Sequence, residues 1–180
     1  PPLSLHDALP ILVMDPIRAI NVHKDSTLAM LLAARRRGWE LYYMEQHDLF
    51  LHGSRCLARM ARLEVRDDAT SWFSLSDAVT APVDELDVIL MRKDPPVDME
   101  YFYTTFLLER AKAAGVMVVN QPAAIRNASE KLYTAWFSHC CPPTRVSRDM
   151  QRLREFLEEQ GDIVVKPLNG MGGASVFRVQ

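Results

Sequence analysis

The stretch Asp162-Ile-Val-Val-Lys-Pro-Leu-Asn-Gly-Met-Gly-Gly-Ala-Ser-Val-Phe-Arg-Val179 holds two short strand patterns separated by a glycine-rich loop. The first strand runs into Lys166 and is ended by Pro167, because proline has no N–H to donate to a sheet ladder. The second is predicted at residues 174–179. Such a loop can fold its backbone N–H groups over a polyphosphate while the lysine supplies a positive charge. The same sequence is also compatible with a simple glycine-rich hairpin turn beside a solvated lysine.

Two commoner phosphate-binding motifs do not match this stretch. A P-loop carries its lysine after the glycines, at the start of a helix, whereas Lys166 precedes them. A dinucleotide-binding fingerprint needs a third glycine where Ser175 stands, and a helix where this sequence continues as a strand.

A second segment upstream favours the nucleotide-binding interpretation. Asn127 or Ser129 can cap a helix, and Lys131 then falls in its first turn, where helix N–H groups favour an anion. The apolar face of this helix consists of Leu132, Ala135 and Trp136. A strand is predicted at residues 144–147 and a helix at residues 149–160, before the lysine strand. This order of elements resembles the opening of the ATP-grasp fold.

Four motifs make the resemblance narrower. Asn-x-x-Glu-Lys-Leu at residues 127–132 and Lys-Pro-Leu-Asn-Gly-Met-Gly-Gly at residues 166–173 resemble the bacterial glutathione synthetase family. Val-Met-Asp-Pro at residues 13–16 and Leu-Met-Arg-Lys-Asp-Pro-Pro at residues 90–96 resemble it too. The resemblance extends from about residue 11 to residue 180.

The resemblance implies a ligase that joins γ-glutamylcysteine to glycine with ATP and releases glutathione, ADP and phosphate. An acyl phosphate is the expected intermediate, and Mg²⁺ or Mn²⁺ is the expected metal. By motif match, Lys131 and Lys166 bind the ATP phosphates. Gly170, Gly172 and Gly173 form a lid over them, where side chains would restrict the loop and crowd the nucleotide.

The resemblance also implies what lies outside this chain. The metal-binding acidic and amide residues of the family are expected downstream of Gln180, so no metal ligand is assigned here. No catalytic residue is assigned either, and the 180-residue chain alone is predicted to be inactive. The full-length protein is expected to form a homo-oligomer.

The rest of the chain predicts an α/β fold with a doubly wound, mostly parallel sheet. Strand and helix patterns alternate at residues 11–14, 25–37, 39–44, 86–91, 99–114 and 116–119. An antiparallel hairpin is predicted at residues 49–65, and residues 72–79 extend it. Residues 11–122 are predicted to form an amino-terminal substrate-side domain, and residues 123–180 the incomplete start of an ATP-grasp domain. Residues 1–10 are atypical, as either a non-native leader or a misread end.

Two charged residues follow predicted strands at the edge where open α/β sheets bind ligands. Arg92 can hold a substrate carboxylate through its bidentate fork, or it can pair with Asp94 within the chain. Asp15 can cap a turn or meet a substrate amino group, and capping is the favoured alternative.

Composition narrows the class of protein. A net charge of −2 with 24% charged residues gives no basic bias, which argues against nucleic-acid binding. No apolar run is long enough for a membrane span, and no signal peptide pattern opens the chain. The three cysteines match neither a disulfide framework nor a zinc site, which favours a cytoplasmic protein.

Core positions are predicted for Trp39, Trp72 and Trp136.

Two other functions remain compatible with the sequence. The lysines and the glycine loop report only on the nucleotide, so another ATP-grasp carboxylate–amine ligase that joins a different acid and amine is an alternative. A non-catalytic α/β module that binds a nucleotide or a partner protein is the alternative from a different class.

Overall fold

The computed structural model describes residues 8–68, 70–170 and 172–180. The first seven residues of the atypical segment predicted at residues 1–10 lie outside this part, and Pro10 is already the first residue of a strand.

Ten strands and four α-helices are present in the described chain. The strands are β1 (Pro10–Met14), β2 (Leu41–Glu45), β3 (Leu49–His52), β4 (Arg55–Val65), β5 (Phe73–Leu75), β6 (Val79–Pro82), β7 (Val88–Met91), β8 (Met117–Val119), β9 (Ile163–Val165) and β10 (Phe177–Val179). The α-helices are α1 (Ser26–Arg36), α2 (Met99–Ala113), α3 (Pro122–Asn127) and α4 (Met150–Gln160).

The larger sheet has the strand order β3-β4-β2-β1-β7-β8, and β5 and β6 also pair with β4. Its centre is parallel, because β1 pairs in parallel with β2 and β7, and β7 pairs in parallel with β8. β4 runs antiparallel to β2 and carries the predicted hairpin with β3. The predicted α/β class is therefore confirmed. The sheet is mixed and not mostly parallel as predicted, because all four pairings of the long strand β4 are antiparallel.

The two longer amino-terminal helices cover opposite faces of this sheet. Leu28 and Leu31 of α1 pack with Leu12 on one face. On the other face, Leu108 of α2 packs with Ile11. Every residue of β1 is buried for this reason, which explains why its sequence is continuously apolar instead of alternating.

The ends of these helices follow local sequence signals. Asp25 caps α1 by accepting a hydrogen bond from the backbone N–H of Thr27, and Asp98 caps α2 in the same way through Tyr101. Gly38 and Gly115 follow the two helices with φ of +78° and +107°, a conformation that favours glycine.

The carboxyl-terminal third differs from the sequence prediction at three places. Asn127 ends α3 instead of capping the next helix, and the segment with Lys131 leads into a 3₁₀ helix, Tyr133–Cys140, that is kinked at Phe137. The strand predicted at residues 144–147 is irregular, because no described strand lies beside it to complete a ladder. β10 begins only at Phe177, since Ser175 has a φ of +57° that an extended strand does not allow.

The predicted core position of Trp136 is wrong, because its exposed fraction is 71%. Trp72 is buried and Trp39 is partly buried against the same cluster, as predicted. Trp136 belongs to a larger pattern, since none of the described residues after Pro122 is buried. The β9–β10 hairpin and α4 therefore have no buried core in this chain.

This difference in burial predicts that residues 128–180 unfold locally far more readily than residues 8–127. Brief trypsin digestion of the chain should cut first at the basic residues after residue 127 and leave an amino-terminal fragment, identified by mass spectrometry. Chymotrypsin, with a different specificity, should give the same boundary. Early cuts within β1, β2 or α2 while residues 128–180 stay intact would contradict the prediction.

The three cysteines differ in exposure, and their reactivity should differ with it. Burial raises the pKa of the Cys56 thiol to about 11, and the nearby Asp84 carboxylate adds to the rise. At pH 8 only roughly one Cys56 in a thousand is then a thiolate, the form that reacts. Cys140 is exposed and Cys141 half-buried. Labelling with an aromatic disulfide at pH 8 should show two fast thiols and one slow one. A Cys56→Ser variant should lose the slow phase, and loss of a fast phase instead would refute the assignment.

No helix in the described residues is long and apolar enough to cross a membrane.

Candidate active-site cleft

Lys131 and the glycine loop meet in the folded chain. The Nζ atom of Lys131 donates a hydrogen bond to the carbonyl oxygen of Gly170 at 2.6 Å, across 39 positions of sequence. The Glu130 carboxylate lies 3.5 Å from the same nitrogen. With its side chain only 14% exposed, the lysine is held under the loop and not spread into solvent. The structure thus brings together the two segments that the motifs connected.

The loop owes its shape to its glycines, for two different reasons. Gly172 and Gly173 have φ of +64° and +79°, which other residues adopt only with strain. A Cβ atom on Gly170 would stand 2.8 Å from the Cγ atom of Pro167, too close for the loop to keep this path. The three glycines therefore allow the loop to follow this path.

Lys166 is placed differently from Lys131. It follows β9 directly, is exposed, and makes no hydrogen bond or ion pair with the described residues. It is also not among the residues that line the cleft beside Lys131. Its binding to ATP phosphates stays a prediction from the motif.

A cleft of about 750 Å³ lies between Lys131, the glycine loop and the helices α2 and α3. Its polar groups come from Asn120, Gln121, Ser129, Lys131 and Asn169, and its apolar wall from Val97, Tyr101, Phe102 and Ile125. Two cations, Lys131 and Arg126, also line it. An apolar wall with a few convergent polar and charged groups is typical of a small-molecule site.

Arg126 holds one wall of this cleft in place. Its guanidinium donates to the Thr105 hydroxyl at 3.0 Å, forms an ion pair with Glu109, and lies 4.2 Å from the centroid of the Phe106 ring. These contacts tie α3 to α2, and the charge of Arg126 is balanced within the chain. No sequence motif points to this role, because all three partners lie on another helix.

The carboxyl end of the parallel strands forms a second charged region. The backbone N–H of Arg92 donates to the Val13 carbonyl at 2.8 Å, which continues the register of β1 and β7 by one residue. Its Nε atom donates to the Thr27 hydroxyl at 3.2 Å. Within the described chain no ion pair joins Arg92 to Asp94, the alternative partner considered from the sequence. Arg92 as a substrate-binding residue stays a prediction.

Asp15 binds the segment that follows β7 instead of its own turn. Its Oδ2 atom accepts a hydrogen bond from the backbone N–H of Asp94, and its Oδ1 atom pairs with the Lys93 ammonium, both at 2.8 Å. The two groups are separated by 79 positions, so a local turn motif could not have revealed the contact. The sequence favoured a local turn cap, whereas the structure shows Asp15 bound to a distant loop.

Tyr101 connects the two charged regions. It lines the cleft and is buried, and burial raises the pKa of its phenol above the usual value. The Asp94 carboxylate raises this pKa further, whereas the Arg92 guanidinium lowers it. Both charges therefore lie within electrostatic range of the cleft wall. The carboxyl end of the sheet therefore lies near the cleft, whose lining includes Pro95 from the segment after β7.

Two family models match successive parts of the chain. Residues 10–126 match the amino-terminal domain of prokaryotic glutathione synthetase, and residues 130–180 match its ATP-grasp domain. A glutathione synthetase of Pseudomonas syringae is 57% identical over 93% of this chain and 52% of its own length. One from Yersinia pestis is 53% identical over 94% of this chain and 53% of its own length. The chain thus spans about half the length of these curated relatives.

Solved structures support the fold alone. The ATP-grasp ligase PsnB matches with a TM-score of 0.51 and 18% identity over 98% of this chain and 58% of its own. D-alanyl-alanine synthetase A from Vibrio cholerae matches with a TM-score of 0.51 and 12% identity over 97% of this chain and 52% of its own. Since the first family model alone spans residues 10–126, well over half of the chain, the chain belongs to the prokaryotic glutathione synthetase family.

Proposed function

We propose that the full-length protein is an ATP-dependent ligase that joins γ-glutamylcysteine to glycine, and that this chain supplies part of its nucleotide and acid-substrate sites. The contact between the Lys131 ammonium and the Gly170 carbonyl supports this most directly. The cation lies beneath a glycine loop and lines a cleft whose wall includes Pro95, three residues after Arg92. Family membership supports the choice of glutathione among ATP-grasp products.

The reaction needs positive groups for a physical reason. The substrate carboxylate is a poor electrophile, because its negative charge repels an amine. Transfer of the γ-phosphoryl group from ATP to a carboxylate oxygen gives an acyl phosphate and ADP. The glycine amine then attacks the acyl carbon, loses a proton and expels phosphate, and an amide bond forms. Two anions must be held together for the first step, so cations and N–H donors have to offset their repulsion.

Within this chain, the proposed roles follow from position. Lys131 binds ATP phosphate oxygens after exchanging the Gly170 carbonyl for them, and Lys166 approaches from the strand end. The backbone N–H groups of Gly170, Gly172 and Gly173 cover the phosphates, which also keeps water from the acyl phosphate. Arg92 holds a carboxylate of the acid substrate at the carboxyl end of the sheet.

Magnesium does not enter these roles. No group of three or more His, Cys, Asp or Glu side chains in residues 8–68, 70–170 and 172–180 is arranged to hold a metal ion. No magnesium ligand is therefore assigned among the described residues, and the roles above belong to lysines, an arginine and backbone groups.

The test uses a chimeric protein, in which this chain is joined to the carboxyl-terminal half of the Pseudomonas syringae relative. This chimera is called the completed protein below. ADP release is measured with a panel of acids and amines. We expect turnover with γ-glutamylcysteine and glycine to exceed that with every other pair. Preference for another acid or amine would favour a different ATP-grasp ligase. ATP binding without turnover on any pair would favour the non-catalytic nucleotide-binding module.

A further inference from the structure

Arg92 lies in a segment that belongs to no helix or strand. β7 ends at Met91 and α2 begins at Met99, and the residues between them are irregular. An arginine in such a segment would lose much conformational freedom on binding a ligand, at a cost in affinity. A site built for recognition therefore needs contacts from other elements that fix this residue in advance.

The backbone of the segment is held from β1. Val13 accepts from the Arg92 N–H, and two residues later the Asp15 carboxylate accepts from the Asp94 N–H. The same carboxylate pairs with the Lys93 ammonium, which also donates to the Asp94 carbonyl at 2.8 Å. One acidic side chain thus binds the segment through both a backbone and a side-chain partner.

The side chain of Arg92 is held from α1. Thr27 is only 2% exposed, and its own N–H is bound to the Asp25 carboxylate at 2.7 Å, so its hydroxyl stands at a fixed place. That hydroxyl accepts from the Nε atom of Arg92. Neither Nη atom of Arg92 has a partner among the described residues. Because Nε is occupied, the side-on edge of the guanidinium is partly blocked, and its end-on edge with both Nη atoms stays open.

We propose that Thr27 and Asp15 are positioning residues that hold Arg92 so that it meets a substrate carboxylate end-on, through Nη1 and Nη2. The inference rests on the proposed function, since it assigns Arg92 the acid substrate. It adds that recognition depends on a hydroxyl 65 positions away in sequence, which touches no substrate itself.

The test compares variants of the completed protein by steady-state kinetics, with the KM for γ-glutamylcysteine and the KM for ATP measured separately. Thr27→Val keeps the shape but removes the acceptor. It should raise the KM for the peptide roughly tenfold, the lower range for a hydrogen bond to a charged group, and leave the KM for ATP within about twofold. Thr27→Ser keeps the hydroxyl and should restore the original KM. Ser26→Ala, at an exposed neighbouring position, is the matched control.

Asp15→Asn gives a second route if Thr27→Val fails to fold, as checked by thermal unfolding. It weakens the hold on Lys93 and should also raise the KM for the peptide selectively, by about threefold or more. Arg92→Lys separates the two levels of the proposal. If it leaves the KM for the peptide unchanged, Arg92 does not bind the substrate, and the proposed role of Arg92 fails. If it raises that KM while Thr27→Val and Asp15→Asn do not, only the positioning inference is overturned.

Discussion

Replacing Lys131 by methionine is expected to weaken ATP binding by the completed protein by roughly ten- to a hundredfold, the range for losing a hydrogen bond to a charged group. Methionine keeps the length and apolar stem of the side chain but removes the ammonium. The nitrogen lies 2.6 Å from the Gly170 carbonyl and is largely shielded from solvent, so water cannot readily substitute for it. Isothermal titration with a non-hydrolysable ATP analogue measures the change.

The matched control is Lys24→Met, which removes the same charge from an exposed position before α1. It should leave the affinity for the analogue within about twofold, because Lys24 does not line the cleft and an exposed charge is screened by water and salt. Equal losses in both variants would mean that net charge, and not the place of Lys131 under the loop, determines the affinity. An unchanged affinity in Lys131→Met alone would remove Lys131 from the nucleotide site.

Much of the amino-terminal fold is predictable from sequence because its signals are local. The aspartate before α1 and the glycine after it mark that helix within one residue of its observed ends. The turn at residues 52–55 lies between β3 and β4, and the hairpin pairs in the predicted antiparallel direction. Continuous apolar runs marked the buried parallel strands. In each case the residues that specify an element belong to that element.

Predictions failed where an element depends on a distant neighbour. Residues 144–147 have strand propensity, but a strand needs a partner for its backbone groups, and none of the described strands provides one. The apolar stripe that contains Trp136 predicted burial, yet a stripe is buried only if something packs against it. Propensity and periodicity describe what a segment can do, whereas pairing and burial depend on the rest of the fold.

The candidate site shows the same division. The motifs led to Lys131 and the glycine loop, and the structure joins them. Sequence reasoning did not find Thr27 or Arg126, because each acts through side chains on another element. A threonine one residue inside a helix and an arginine in the last turn of another carry no chemical signal by themselves. Their roles can be recognised only from the three-dimensional structure, which shows the atoms that they contact.

The double substitution Gly172→Ala and Gly173→Ala is expected to reduce kcat/KM for ATP of the completed protein while the protein still folds. Both glycines have left-handed φ angles and no atom within 4 Å of an added Cβ, so alanine would meet backbone strain without a clash. That strain costs about 1–2 kcal/mol at each position, which shifts the loop toward other conformations. If the loop must adopt this shape over the phosphates, kcat/KM for ATP should fall by roughly tenfold or more.

Gly161→Ala is the control that separates loop function from general strain. Gly161 has a φ of +74° and also has no atom within 4 Å of an added Cβ, but it ends α4 instead of forming the loop. Its substitution should lower the melting temperature by an amount similar to one loop alanine, because the strained conformation is the same. It should leave kcat/KM for ATP nearly unchanged, since the phosphate-covering groups keep their geometry. If Gly161→Ala lowers kcat/KM as much as the double loop variant, the loss reflects destabilisation, and the glycine loop is not the lid over the phosphates.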